Sequence, residues 1–293
     1  MYGQAVVRWT DGSLIAVDGD LNRVYPNGKL RRLADLGLPV PENPDSESED
    51  QGEAGTAIRV GQRLLIGGGE MLSEVYHPLL WVSDDVGATV RRVALPVPSG
   101  PDAHTAVGAL AANGNSVVAL AASASNAYTN APVGQLAIWY STDAGSRWTV
   151  DSVGGLPAGA VMTGVIRLRN SWLAYGSIVH YGSPDRPLVL TSTDGRSWQR
   201  NDGPGMGLGD LVAATVDQAG QPVLVGSQVL PKQQANTLST YCGAVWVGDG
   251  KAADWKRGAL SCDTAPPTAA ATLPDGRVIV AGNRDLWLGR PTT

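Results

Sequence analysis

The strongest constraint on this chain is an internal repeat. Six times along 293 residues, an apolar segment runs into a Gly- or Asn-bearing turn and is followed at once by a second apolar segment. The first segments include Ala5-Val6-Val7-Arg8-Trp9-Thr10-Asp11-Gly12, Gly108-Ala109-Leu110-Ala111-Ala112-Asn113-Gly114 and Ala269-Ala270-Ala271-Thr272-Leu273-Pro274-Asp275-Gly276. Their partners include Ser13-Leu14-Ile15-Ala16-Val17, Ser116-Val117-Val118-Ala119-Leu120 and Arg277-Val278-Ile279-Val280-Ala281. Short apolar runs bounded by turn residues read as strands buried on both faces. A third segment ends near a recurring Trp, at Trp81, Trp139, Trp246 and Trp287, with Tyr25 and Leu190 near that place in the other two units.

The repeat length, roughly 50 residues, is that of a four-stranded propeller blade. The expected fold is therefore all-β: a single-domain six-bladed β-propeller of four-stranded antiparallel blades over residues 4–35, 54–96, 104–153, 160–201, 209–261 and 266–293. The last unit ends after its third strand, so its blade is expected to lack the outer one; seven blades in a longer native chain is the alternative. Composition agrees. With 37 Gly, 19 Pro and 17% charged residues, the chain is neither disordered nor a helical coil. Phe is absent, whereas Trp occurs nine times and Tyr eight, so every aromatic ring carries a polar handle.

A net charge of −5 offers no basic field for phosphates, which argues against a nucleic-acid partner. No apolar run approaches the roughly 20 residues of a membrane-spanning helix. The start, residues 1–12, lacks the pattern of a signal peptide, and the expectation is that an upstream export or anchor segment has been removed. Residues 39–53 carry Glu42, Asp45, Glu47, Glu49, Asp50 and Glu53 without a base. They read as a solvated loop, with a Ca2+ site over Glu42 to Glu53 as the sharper alternative; no other cofactor or metal is expected.

Turns between third and fourth strands carry the most specific motif: Ser141-Thr142-Asp143-Ala144-Gly145-Ser146-Arg147-Trp148 and Ser192-Thr193-Asp194-Gly195-Arg196-Ser197-Trp198. Residues 83–90 hold a weaker version, and Gly248-Asp249-Gly250 ahead of Trp255 a worn one. Ser and Asp can bond the turn's own amides, Gly can take positive φ, and Trp can lie over the hairpin. The pattern resembles the Asp-box, or BNR repeat, of sialidase-like propellers and of related secreted and photosystem-assembly propellers. The second box is one residue shorter than usual. Because Asp-boxes also occur in proteins without hydrolase activity, the resemblance implies a fold more than a reaction.

Sialidases of that family use an arginine triad, a Tyr–Glu nucleophile pair and an acid/base Asp, with the first Arg in a Phe/Tyr-Arg-Ile-Pro segment that is missing here. Arg8, Arg59 and Arg167 share a place in three first strands. They fall beside the turn face, so a framework role fits better than a triad. No nucleophile elbow, phosphate loop or zinc-helix motif is present, and no catalytic residue is assigned.

The opposite face gathers the second-to-third-strand loops and the connections between blades, the usual place for recognition. Its candidate ligand-binding residues are Glu74, Tyr76, His77, His104, Tyr128, His180 and Tyr181. Cys242 opens the fifth blade's third strand and Cys262 follows its fourth, which brings them together at the hairpin's open end. A disulfide is expected, with two buried free thiols as the alternative, and it places the protein outside the cytosol. The functional expectation is a monomeric, secreted or surface-anchored, non-catalytic binding module for a glycan or protein partner. The alternative is a divergent glycoside hydrolase or polysaccharide lyase.

Overall fold

A computed structural model describes residues 5–18, 20–39, 51–72, 75–96, 106–124, 133–179, 184–230, 240–262 and 266–291. The chain is all-β, a six-bladed β-propeller in which each blade is an antiparallel sheet whose successive strands are neighbours. Among the described residues five blades have four strands and the sixth has three.

By their contacts the residues form two compact units, Met1–Ser125 with Gln135–Gly154, and Asn126–Gly134 with Gly155–Thr293. The first holds β1 (Ala5–Arg8), β2 (Leu14–Asp18), β3 (Asp20–Val24) and β4 (Leu30–Arg32) as one sheet. Its second sheet is β5 (Gln51–Val60), β6 (Arg63–Leu72), β7 (Val75–Ser83) and β8 (Arg91–Val93). The third is β9 (Val107–Asn113), β10 (Ser116–Ala121), β11 (Val133–Ser141) and β12 (Thr149–Pro157), of which residues 133–134 and 155–157 fall in the second unit. Sheets one and two bury Trp9, Ile15, Leu64, Ile66 and Trp81 in one apolar cluster.

The second unit contains β13 (Ala160–Arg167), β14 (Trp172–Ile178), β15 (Arg186–Ser192) and β16 (Gln199–Arg200), followed by a 3-10 turn at Pro204–Met206. Then come β17 (Gly209–Val216), β18 (Pro222–Leu230), β19 (Thr240–Gly248) and β20 (Trp255–Ala259), and finally β21 (Pro267–Thr272), β22 (Val278–Gly282) and β23 (Leu286–Gly289). Its fourth and fifth sheets share a cluster with Leu173, Met206, Leu224, Trp246 and Trp255. The fifth and sixth share a smaller one built on Val223, Val225, Val278 and Val280.

The second strands are buried as the sequence implies: β14 is buried at every position and β18 at all but its last. Two details differ from the sequence reading. Long strands extend past the expected loops, so Tyr76 and His77 lie inside β7, where Val75 and Tyr76 favour the extended backbone, and pair with Met71 and Glu70 of β6. Glu53 likewise belongs to β5, opposite Gly69, rather than to a loop. The ladders also carry a feature the sequence reading missed. In sheets two to six the pairing of first and second strands slips by one residue, between Ala54/Thr56, Leu120/Ala121, Met162/Gly164, Leu211/Ala213 and Pro267/Ala269. Such bulges twist a strand end and re-aim its side chains.

Candidate functional site

The turn face is built for rigidity. In three turns a Ser hydroxyl donates to an Asp carboxylate, Ser83 to Asp85 at 2.8 Å, Ser141 to Asp143 at 2.9 Å and Ser192 to Asp194 at 2.9 Å. The same hydroxyls accept the amides of Gly87, Gly145 and Gly195 at 2.7, 2.9 and 2.8 Å. Each carboxylate in turn accepts amides further on, from Thr89, from Ser146 and Arg147, and from Arg196 and Ser197. The turn at residues 83–90, weak by sequence, is thus as complete as the other two, because Ser, Asp and Gly suffice without the Trp. Trp148 and Trp198 donate their indole N–H back to the Gly145 and Gly195 carbonyls at 3.0 and 3.1 Å. In the worn fourth turn Gly248 replaces the Ser, Asp249 accepts the Ala253 amide at 2.7 Å, and the buried Trp255 indole N–H has no acceptor.

These contacts fix the protonation of the acids involved. Hydrogen bonds from the Arg147 side chain and amide hold Asp143 far below the ordinary carboxylate range. Partial burial opposes ionisation of Asp194, but the Arg196 and Ser197 amides and the Ser192 and Ser197 hydroxyls outweigh it and bring it down to about 2. The Thr89 hydroxyl and amide lower Asp85. Carboxylates held as anions with their oxygens occupied are structural acceptors, unsuited to donating a proton near neutral pH.

The three first-strand arginines are framework residues where the structure shows their partners. Arg59 lies over the Trp9 ring at 5.8 Å and Arg167 over Trp172 at 4.9 Å, contacts that suit a stem packed on an aromatic with its charge in water. Arg8 is exposed.

At the opposite end of the strands, Tyr76 and His77 are both exposed, Tyr76 at 40%. His77 is paired directly across from Glu70, so the two share a sheet face. Glu70 is ion-paired to Arg92 at 3.2 Å, and Arg92 also donates to the Gly37 carbonyl at 2.8 Å and lies over Trp81 at 5.8 Å. The result is a compact patch with a phenol, an imidazole and a carboxylate–guanidinium pair. Five other candidates, Glu74, His104, Tyr128, His180 and Tyr181, lie outside the described residues, as do Glu42 to Asp50 of the acidic stretch. The structure therefore joins Tyr76 and His77 in one patch and leaves the wider set untested.

Sequence reasoning missed Tyr241. It stands five residues before Trp246 as Tyr76 stands five before Trp81, in the same place of the repeat, and it is 51% exposed. Aligning the third strands on their Trp residues would have found it. Next to it, Cys242 is buried and disulfide-bonded to Cys262 with Cα atoms 4.1 Å apart, as expected from the hairpin. In the same unit Asp210 accepts hydrogen bonds from the Ser227 hydroxyl and amide, and the Leu211 amide donates to Ser177 at 3.2 Å. This buried polar row is internally satisfied and holds the starts of β17 and the ends of β14 and β18 in place. Among the described residues no group of three or more His, Cys, Asp or Glu could hold a metal ion, and no helix is long and apolar enough to cross a membrane.

No protein-family model matches the chain, and neither does any curated protein. Solved structures do. A protein of unknown function from Dyadobacter fermentans superposes with a TM-score of 0.60 at 13% identity, over 95% of this chain and 89% of the other. YCF48 bound to a D1 peptide gives 0.56 at 14% identity over 97% and 78%. An α-L-arabinanase from Penicillium chrysogenum, complexed with arabinobiose, gives 0.53 at 13% identity over 80% and 76%. At such identities the likeness is one of fold.

Proposed function

We propose that this chain is a non-catalytic binding propeller, secreted or surface-anchored, that recognises a glycan or a protein segment through the face bearing Tyr76, His77 and Tyr241. The observation that carries this reading is the recurrence of an exposed tyrosine at one place in two blades. An exposed ring with a hydroxyl tip offers both stacking area and a hydrogen bond at low entropic cost. The division of labour between the two strand ends supports it: acids with strongly lowered pKa values are committed to turns, while the opposite end exposes polar and aromatic side chains on a rigid scaffold. The Ser-x-Asp turns favour a place among Asp-box, sialidase-like propellers, and the Cys242–Cys262 bond favours an oxidising compartment. Glu74, His104, Tyr128, His180 and Tyr181 are proposed to extend the same surface. Ca2+ at Glu42 to Glu53 is an accessory proposal that a calcium titration tests.

A second reading, a divergent glycoside hydrolase or polysaccharide lyase, draws on the fold shared with an arabinanase complexed with arabinobiose. A glycan and peptide array paired with a reducing-sugar assay separates the two. The binding module retains a ligand and releases no sugar; turnover abolished by Tyr76→Phe or His77→Gln overturns it.

A further inference from the structure

The sixth blade stops at β23, and what it lacks can be read from the fifth. In the fifth blade β20 pairs antiparallel with β19, and Trp255 sits directly opposite Gly248. A Cβ on Gly248 would meet the Trp255 ring at 2.9 Å, so the glycine is what lets the indole lie across the strand. That indole and Met206 complete the apolar cluster between the fourth and fifth sheets.

Gly289 holds the same place in β23. It follows Trp287 by two residues as Gly248 follows Trp246, and a Cβ there would meet nothing within 4 Å. The space is a cavity of about 460 Å³ with Val223, Val245, Leu260, Val280 and Trp287 among its lining residues, within the size range of ligand pockets. Leu286 and Leu288 on the uncovered strand are 66% and 48% exposed. An apolar edge of this kind is a template for strand addition. Exposed Arg284 and Arg290 flank it, while Asp285 between Arg284 and the strand has its Oδ2 buried.

We propose that β23 accepts an extended segment of a partner polypeptide as a fourth antiparallel strand. The segment carries an aromatic side chain opposite Gly289, which enters the cavity as Trp255 does in the fifth blade, and acidic residues that meet Arg284 and Arg290. This site is separate from the tyrosine-bearing face, and its failure leaves the reading of that face untouched.

The test is titration of the intact protein with a short synthetic peptide that alternates Val and Thr around one Trp and ends in Glu. Binding is followed by calorimetry, with hydrogen exchange of residues 286–289. Because Gly289 has open space around its Cβ, Gly289→Leu is accommodated in the folded chain, and circular dichroism checks this. The expected result is that the peptide protects residues 286–289, and that affinity falls by roughly tenfold or more with Gly289→Leu or with Ala in place of the peptide's Trp. Equal affinity for Gly289→Leu, no binding of the Trp peptide, or protection of residues 286–289 in the peptide-free protein, whether monomer or dimer, overturns the proposal.

Discussion

The indole N–H of Trp246 donates to the backbone carbonyl of Met206 at 3.0 Å. Met206 lies in the connection that leads from β16 into β17, so a third-strand side chain fastens the entry to its own blade. The contact recurs from Trp81 to Leu36 at 3.1 Å and from Trp139 to Pro96 at 2.9 Å. All three rings are essentially fully buried. A buried carbonyl without a donor costs about 1–3 kcal/mol, and Phe has no donor to offer. This gives one physical reason why the chain, with nine Trp and no Phe, prefers the larger ring.

Trp246→Phe is accordingly expected to destabilise the protein by about 1–3 kcal/mol beyond any loss of packing, read as a lower midpoint in denaturant. Trp255→Phe is the matched control, since the Trp255 N–H has no acceptor to lose. Equal shifts for the two variants would show that packing alone sets the preference.

Gly145 has φ of +80°, and a Cβ there would meet Leu65 at 2.8 Å. Gly145→Ala combines left-handed strain with a clash and is expected to cost about 1–3 kcal/mol. Gly114, at φ +58° with nothing near its Cβ, isolates the backbone part: Gly114→Ala is expected to cost about 1 kcal/mol. Thermal unfolding of the two variants measures the difference.

Because the folded pKa of Asp194 is lowered to about 2, its contribution is present above the ordinary carboxylate range. It is lost as pH falls from about 4 towards 2. The melting temperature of Asp194→Asn should lie below that of the wild type at neutral pH, and the gap should close through that acid window. A gap independent of pH would mean that the ionised carboxylate is not what holds the turn.

The Cys242–Cys262 bond spans 20 residues and is worth on the order of 3 kcal/mol in the chain-entropy model. Replacing both cysteines with Ser should lower stability by about that amount without changing the circular dichroism of the native state. Alkylation of the unreduced, unfolded protein should add no mass.

Much of this architecture was legible in the residues. The Val- and Leu-rich second strands, the Gly-bearing turns, the Cys pair and the missing last strand all follow from local patterns repeated in register. The site was less legible. Tyr76 and His77 read as loop residues because a Pro follows at position 78, yet β7 runs through that Pro opposite Gly69. The five first-strand bulges left no composition signal, since the displaced residues Gly55, Gly108, Thr163, Val212 and Thr268 share no chemistry. Tyr241 was hidden because its meaning depends on a comparison between blades rather than on its neighbours.

The central claim is that the exposed tyrosines at the third-strand starts bind a ligand without turning it over. Its most direct test is calorimetric titration of the strongest array ligand against wild type, Tyr76→Ala and Tyr241→Ala, with the ligand recovered and analysed afterwards. The account predicts that at least one Tyr variant weakens binding by roughly tenfold while the ligand is recovered intact. Unchanged affinity in both variants, or a cleaved ligand, would contradict it.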